Sequence, residues 1–158
     1  MRHRWIGFVF LAAAPFAAAY AQLVSATDEP VDITSDAAEF QDGRALWTGN
    51  VRVVQGEAIL TARRIEATIS DDGEIQSIKA FGAVRYFNGR EAITGERAVF
   101  EDASRTITIT ENVIVTQGQQ VMSAGAVTYW VDTGKVKFNP EPGKRIRGIF
   151  YPNEANPT

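Results

Sequence analysis

The sequence has no cysteine, and its one histidine is His3. These shortages exclude disulfide staples, thiol nucleophiles, imidazole-based triads, redox pairs and zinc sites built from nitrogen or sulfur ligands. No G-x-S-x-G elbow, Walker loop or G-x-G-x-x-G occurs either. Beyond residues 6–19 no apolar run is long enough to span a membrane, and no later window keeps helical spacing. What remains is a chain rich in Val, Ile, Thr, Tyr and Phe, punctuated by turn residues.

Arg2 and Arg4 precede the apolar run, which only Pro15 breaks, and Ala19-Tyr20-Ala21 supplies a small-x-small cleavage pattern. Residues 1–21 are therefore expected to be a signal peptide cut before Gln22. The run is shorter than the ~20 residues of a spanning helix. A flexible segment over 22–30, one domain over 31–152 and a disordered tail over 153–158 complete the expected organisation. Without residues 1–21 the sixteen Lys and Arg fall to fourteen against nineteen Asp and Glu, a net charge of −5. Such a chain lacks the basic face that a duplex nucleic-acid binder needs. Export leads to an oxidising compartment, so without cysteine a soluble fold must rest on hydrogen-bonded sheet and buried apolar area.

One phrase recurs about every thirty residues: TGNVRVVQGEAILTA at 48–62, FGAVRYFNGREAITG at 81–95 and TENVIVTQGQQVMSA at 110–124. Turn signals fall at Asp42-Gly43, Gln55-Gly56, Asp72-Gly73, Asn88-Gly89, Ala103-Ser104, Gln117-Gly118, Thr133-Gly134 and Pro142-Gly143. Asn88-Gly89 carries the strongest signature of a hairpin turn with positive φ at both central residues. Between turns the lengths suit long antiparallel strands and are too short for strand–helix–strand units. Val51, Val84 and Val113 share one position, and Val53, Tyr86 and Val115 the position two residues on. Upstream, Trp47, Ala80 and Ile109, then Ala45, Ile78 and Ile107, keep the same parity and hence the same sheet face. Arg52, Arg85, Lys79, Thr108 and Thr110 take the other face. A second phrase, Ile33-Thr34-Ser35, Leu60-Thr61-Ala62, Ile93-Thr94-Gly95 and Met122-Ser123-Ala124, precedes the apolar pairs Ala38/Phe40, Ile65/Ala67, Ala98/Phe100 and Val127/Tyr129. Parity changes inside each phrase, which predicts a bulge or bend at the same point every time. A sheet with one apolar face must fold over or stack, giving an all-β, elongated antiparallel roll with two open ends.

Carboxylates are the only candidates for chemistry. Asp71, Asp72 and Glu74 lack the ligand register of a calcium loop and read as a solvated turn. Glu101 with Asp102, and Glu91 with Glu96, read as wet charges beside turns rather than as a glycosidase pair. No catalytic residue, metal or cofactor is expected. The inward set mixes bulky Trp47, Tyr86, Phe100, Tyr129 and Phe138 with small Ala45, Ala67, Ala80 and Ala98. That mixture fits a packed core, or a groove left partly open for acyl chains.

The run PVDITSDAAEFQDGRALWTGNVRVVQGEAILTARRIEA resembles the N-terminal half of the LptA proteins, in the OstA-like family of lipopolysaccharide transport. Val31, Ile33, Ser35 and Asp36 match its opening, and Gly49, Asn50, Val51, Val53, Gln55 and Gly56 its Asn-Val-x-Val-x-Gln-Gly segment. KAFGAVRYF, TENVIVTQG (with Glu111 where glycine is usual) and GKRIRGIFYP follow in order, extending the resemblance from about Pro30 to Pro152. The resemblance implies a β-jellyroll open along one seam that carries the lipid A part of lipopolysaccharide. It also implies head-to-tail joining into a bridge across the periplasm, between an inner-membrane LptC-like and an outer-membrane LptD-like protein. The cleavage motif and the end at Thr158 favour the LptA type over the anchored and barrel-bearing relatives. Lipid contact is then expected at Val31, Ile33, Phe40, Trp47, Val51 and Val53, at Ile65, Ile78, Val84, Tyr86 and Phe100, and at Ile107, Ile109, Val113, Val115, Tyr129 and Phe138. The first strand, Val31 to Phe40, and the last, Arg145 to Tyr151, are expected to be the joints, through Val31, Ile33, Arg145, Arg147, Ile149 and Tyr151. Lys135, Lys137, Lys144 and Arg145 are candidates for sugar phosphates, or simply solubilise that edge. The competing reading is a secreted structural or adhesive β-repeat protein with a dry core.

Overall fold

The computed structural model describes residues 29–152; the expected signal peptide, most of the expected flexible segment and the tail lie outside them. Every regular element among the described residues is a strand: β1 (Asp32–Thr34), β2 (Ala37–Gln41), β3 (Arg44–Gln55), β4 (Ala58–Ile69), β5 (Ile75–Phe87), β6 (Glu91–Glu101), β7 (Thr106–Gln117), β8 (Gln120–Trp130), β9 (Val136–Asn139) and β10 (Arg147–Ile149). They form one open antiparallel sheet in the order β1-β3-β4-β5-β6-β7-β8-β10, with β2 also on β3 and β9 also on β8. The all-β antiparallel roll read from the repeat is the fold.

The turn signals separate the strands as expected, with one exchange of roles. Asp42 and Gly43 hold φ of 49° and 71°, and they close a two-residue hairpin between paired Gln41 and Arg44. Asn88 does not take positive φ, contrary to the sequence reading; only Gly89 does. The Asn88 side chain has another use. Its Oδ1 accepts hydrogen bonds from the backbone N–H of Arg90 at 3.0 Å and of Glu91 at 2.7 Å, which pins the start of β6.

Bulges sit at one level across the sheet. The register shifts between Thr48 and Val51, Thr61 and Arg64, Phe81 and Val84, Thr94 and Arg97, and Thr110 and Val113. In each case the extra residue belongs to an odd-numbered strand, β3, β5 or β7. Each of these strands turns through two consecutive left-handed residues: Gly49-Asn50, Gly82-Ala83 and Glu111-Asn112. The predicted parity change follows, since Ala62 faces inward and Arg64 outward although they are two apart. Carboxylates from neighbouring segments satisfy this row. Asn50 Nδ2 donates to Asp36 Oδ2 at 3.1 Å, Ala83 N to Glu96 Oε2 at 3.3 Å, and Asn112 N to Glu141 Oε1 at 3.3 Å.

The row acts as a fold line. Wall A comprises strand halves such as 44–48, 64–69 and 75–81, wall B their continuations such as 51–55, 58–62 and 84–87. Residues of both walls share one buried cluster: Tyr86, Ile93 and Val115 of wall B with Ile109, Val127 and Tyr129 of wall A. The sheet therefore doubles over and its two inner faces meet. Both terminal edges differ from the single strands expected. Val31 precedes β1, and Ser35-Asp36 divides β1 from β2. At the other end β10 holds only Arg147, Gly148 and Ile149, so Arg145 and Tyr151 lie outside it. Pro140 and Pro142, which lack N–H donors, fall in the gap between β9 and β10.

Candidate functional site

Wall A is laid down as cross-strand rows. Trp47, Ile65, Ala80, Ala98, Ile109, Val127 and Phe138 pair in succession, as do Phe40, Ala45, Ala67, Ile78, Phe100, Ile107, Tyr129 and Val136. The facing row of wall B runs Ile33, Val53, Leu60, Tyr86, Ile93, Val115 and Met122. The alanines of these rows all lie on β3 to β6, where they alternate with larger residues such as Trp47 and Phe100, whereas the rows carry no alanine on β7 to β9. Packing follows that gradient: where Ala67, Ala80 and Ala98 line the interior the walls stand apart, and where Tyr129 and Phe138 enter they close.

The open part is an apolar groove of about 170 Å³. Of the expected lipid-contact residues, it brings together Val31, Ile33, Trp47, Val53, Ile65, Ile78, Val84, Tyr86, Phe100, Ile107 and Ile109. The others lie elsewhere. Val51 is buried against the fold line, Val113, Val115 and Tyr129 are packed in the closed half, and Phe138 packs on that cluster. Phe40 sits on the inner face opposite Ala45 but is 69% exposed, edge-on to Trp47 with ring centroids 5.6 Å apart. Gln55, Leu60, Ala67, Ile75, Ala80, Ala98 and Val99 also line the groove and were not singled out as contacts. All but Val99 and Ile75 keep the inward parity of their strands, so parity was the available signal for them. Ile75 has the opposite parity to Ile78 and Ala80 and follows the register shift between Thr68 and Ile69. The groove reaches solvent beside Val31 on one rim and Ile75 on the other, 53% and 48% exposed. Uncovered aliphatic side chains at a cavity mouth mark a place where apolar matter can enter.

Two buried polar side chains interrupt the apolar interior among the described residues: Gln55, on the groove lining, and Glu91. Glu91 reads from sequence as solvated, but it is only 1% exposed, and neither carboxylate oxygen has a hydrogen-bond partner among the described residues. Its inward parity with Ile93 is the signal that would have shown this. Burial pushes its pKa up to about 7, an effect that Arg90 only partly offsets. Burial and the nearby Glu91 also hold the Tyr86 hydroxyl well above its ordinary range, and burial raises Tyr129. Glu96 lies on the outer face, so Glu91 and Glu96 are not a convergent pair. Asp71, Asp72, Glu74, Glu101 and Asp102 are exposed, and no cluster among the described residues could hold a metal ion.

Of the basic candidates, Lys135 stacks on the Trp130 ring at 5.0 Å and Lys144 pairs with Glu141. Charge separates between the two sheet edges. Residues 29–41 carry Glu29, Asp32, Asp36 and Glu39 with no cation, while residues 135–151 carry Lys135, Lys137, Lys144, Arg145 and Arg147 against Glu141 alone.

Comparison with known proteins agrees with this architecture. The family model described as LptA/(LptD N-terminal domain) LPS transport protein matches residues 32–135. An uncharacterized protein of Rhizobium meliloti (strain 1021) is 27% identical over 128 residues, covering 74% of this chain and 69% of the relative. Among solved structures, LptH, the LptA-homologous periplasmic component of the lipopolysaccharide-transport device of Pseudomonas aeruginosa, superposes with a TM-score of 0.67. That likeness, at 18% identity over 79% of this chain and 97% of LptH, concerns the fold.

Proposed function

Because the chain belongs to the LptA/LptD N-terminal family of lipopolysaccharide-transport proteins, we propose that it is a periplasmic carrier that holds the acyl chains of lipid A in this groove. Units join head to tail into a bridge from an inner-membrane LptC-like protein to an outer-membrane LptD-like one. The observation that carries the reading is the groove itself, an apolar interior lined from both walls and opening beside exposed Val31 and Ile75. Its size sets a condition. A cavity of about 150 Å³ holds one benzene, so 170 Å³ takes only part of an acyl chain. Loading therefore parts the two walls. Each fully buried methylene is worth ~0.8 kcal/mol, and partial, even burial along the row lets cargo be held and then passed on.

Photo-crosslinkers at Ile33, Val53, Tyr86 and Phe100 should label lipid A, while those at Arg52 and Lys79 on the outer face should not. Equal labelling at Arg52 would refute the groove as the cargo path. The packing of β7 to β9 favours a second reading, a β-repeat protein whose interior stays dry. A native protein that takes up neither a hydrophobic dye nor lipid A would establish that reading instead.

A further inference from the structure

Glu91 is the buried group that acyl-chain carriage does not explain. The Asn88 side chain fixes the backbone leading into it, accepting from the N–H of Arg90 at 3.0 Å and of Glu91 itself at 2.7 Å. The carboxyl is therefore directed inward by a built turn. Tyr86 pairs with Ile93, and Glu91 lies two residues before Ile93 on the same face, so Tyr86 and Glu91 are diagonal neighbours on wall B. Tyr86 lines the groove. Glu91 itself lies outside the groove lining, so a chain reaches it only by parting the walls behind Tyr86. An unpartnered carboxyl in an apolar wall is costly, and a fold that keeps one leaves hydrogen-bonding capacity for something else.

We propose that Glu91, behind Tyr86 and beyond the open groove, is a polar recognition point that, when the walls part, takes a hydroxyl group carried on an otherwise aliphatic chain. A neutral carboxyl presents one O–H donor and acceptor oxygens, and a hydroxyl offers the complementary pair. A cationic group fits less well, because a lone ion pair in this wall bears two desolvation penalties. The inference rests on the carrier reading and adds to it a preference among cargo chains.

The test uses dodecanoate and a series of hydroxydodecanoates with the hydroxyl at successive carbons, displacing a hydrophobic dye from the exported protein at pH 6. One hydroxyl position should bind about five- to tenfold more tightly than dodecanoate, as one buried hydrogen bond implies. The preference should disappear in Glu91→Leu and persist in reduced form in Glu91→Gln, with denaturant unfolding showing both variants folded. The peak at one carbon is read in the unaltered protein and needs no variant. Equal binding of dodecanoate and every isomer overturns this inference alone, as does an unchanged preference in Glu91→Leu. Failure of dodecanoate itself to bind overturns the carrier reading together with it.

Discussion

Glu91 should make the stability of this protein fall as pH rises through the neutral range. Its carboxyl titrates near pH 7 in the folded chain against an ordinary value of 4.5. The folded state therefore holds a proton that the unfolded state releases, and stability declines wherever the native form binds more protons. The contribution of the neutral carboxyl is complete below pH 4.5 and is lost as pH climbs through about 7. A shift of that size corresponds to about 3 kcal/mol between the two limits. Glu91→Gln keeps the volume and cannot ionise, so its stability should stay flat over the same window. At pH 8 it should exceed the unaltered protein by about 2–3 kcal/mol, or on the order of 10 °C in Tm. Urea unfolding at half-unit steps from pH 5 to pH 8.5 measures both curves. Parallel curves, with no convergence at low pH, would show that the carboxyl is hydrated in solution, and the reasoning from burial would fail.

Two further substitutions probe the fold line. Glu111 is exposed at φ 70°, a conformation that costs a side-chain-bearing residue about 1–2 kcal/mol; Glu111→Gly should raise stability by about 0.5–1 kcal/mol in urea unfolding once the greater freedom of unfolded glycine is counted. Gly95 lies inside the bend, where an added Cβ would stand 2.6 Å from Ile109 Cγ2; Gly95→Ala should cost about 1–3 kcal/mol by overpacking, and an unchanged unfolding midpoint would mean that the walls are not in contact there.

The alternation that places Trp47, Val51 and Val53 on one face has a period of two, and that part of the fold was legible in the sequence. The bend was legible only in outline. Parity marked it on β4 and β6, but the residues making it on the odd strands are Gly49-Asn50, Gly82-Ala83 and Glu111-Asn112, and no single residue type announces the left-handed pair. Open and packed portions of the interior share one parity, so Phe100, which lines the groove, and Tyr129, which fills the closed half, look alike in sequence. Their difference arises from the side chains opposite them on the other wall. Glu91 was misread because charges beside a turn are usually solvated, and Arg90 next to it is exposed as that rule expects.

Head-to-tail joining makes the most specific demand on the edges. Among the described residues, β1 with β2 and β9 with β10 each leave one side of the sheet without a strand partner, and such edges are templates for strand addition. Pairing unlike edges is a heterologous contact, which propagates where a two-fold contact would close. The charge distribution favours unlike pairing: Asp32, Asp36 and Glu39 line one edge, and Lys137, Arg145 and Arg147 stand at the other. Association should thus weaken as salt rises from 0.05 to 0.5 M, with Debye lengths falling from roughly 14 to 4 Å. Proline tests the backbone directly. Successive N–H groups in a strand point to opposite sides, so of Gly148→Pro and Ile149→Pro one removes a donor facing β8 and the other a donor facing outward. The first should lower the unfolding midpoint of the monomer. The second should leave that midpoint nearly unchanged and shift sedimentation toward monomer at every concentration. Oligomers that persist in both variants, and in a chain truncated after Pro142, would place the joint somewhere other than the β10 edge.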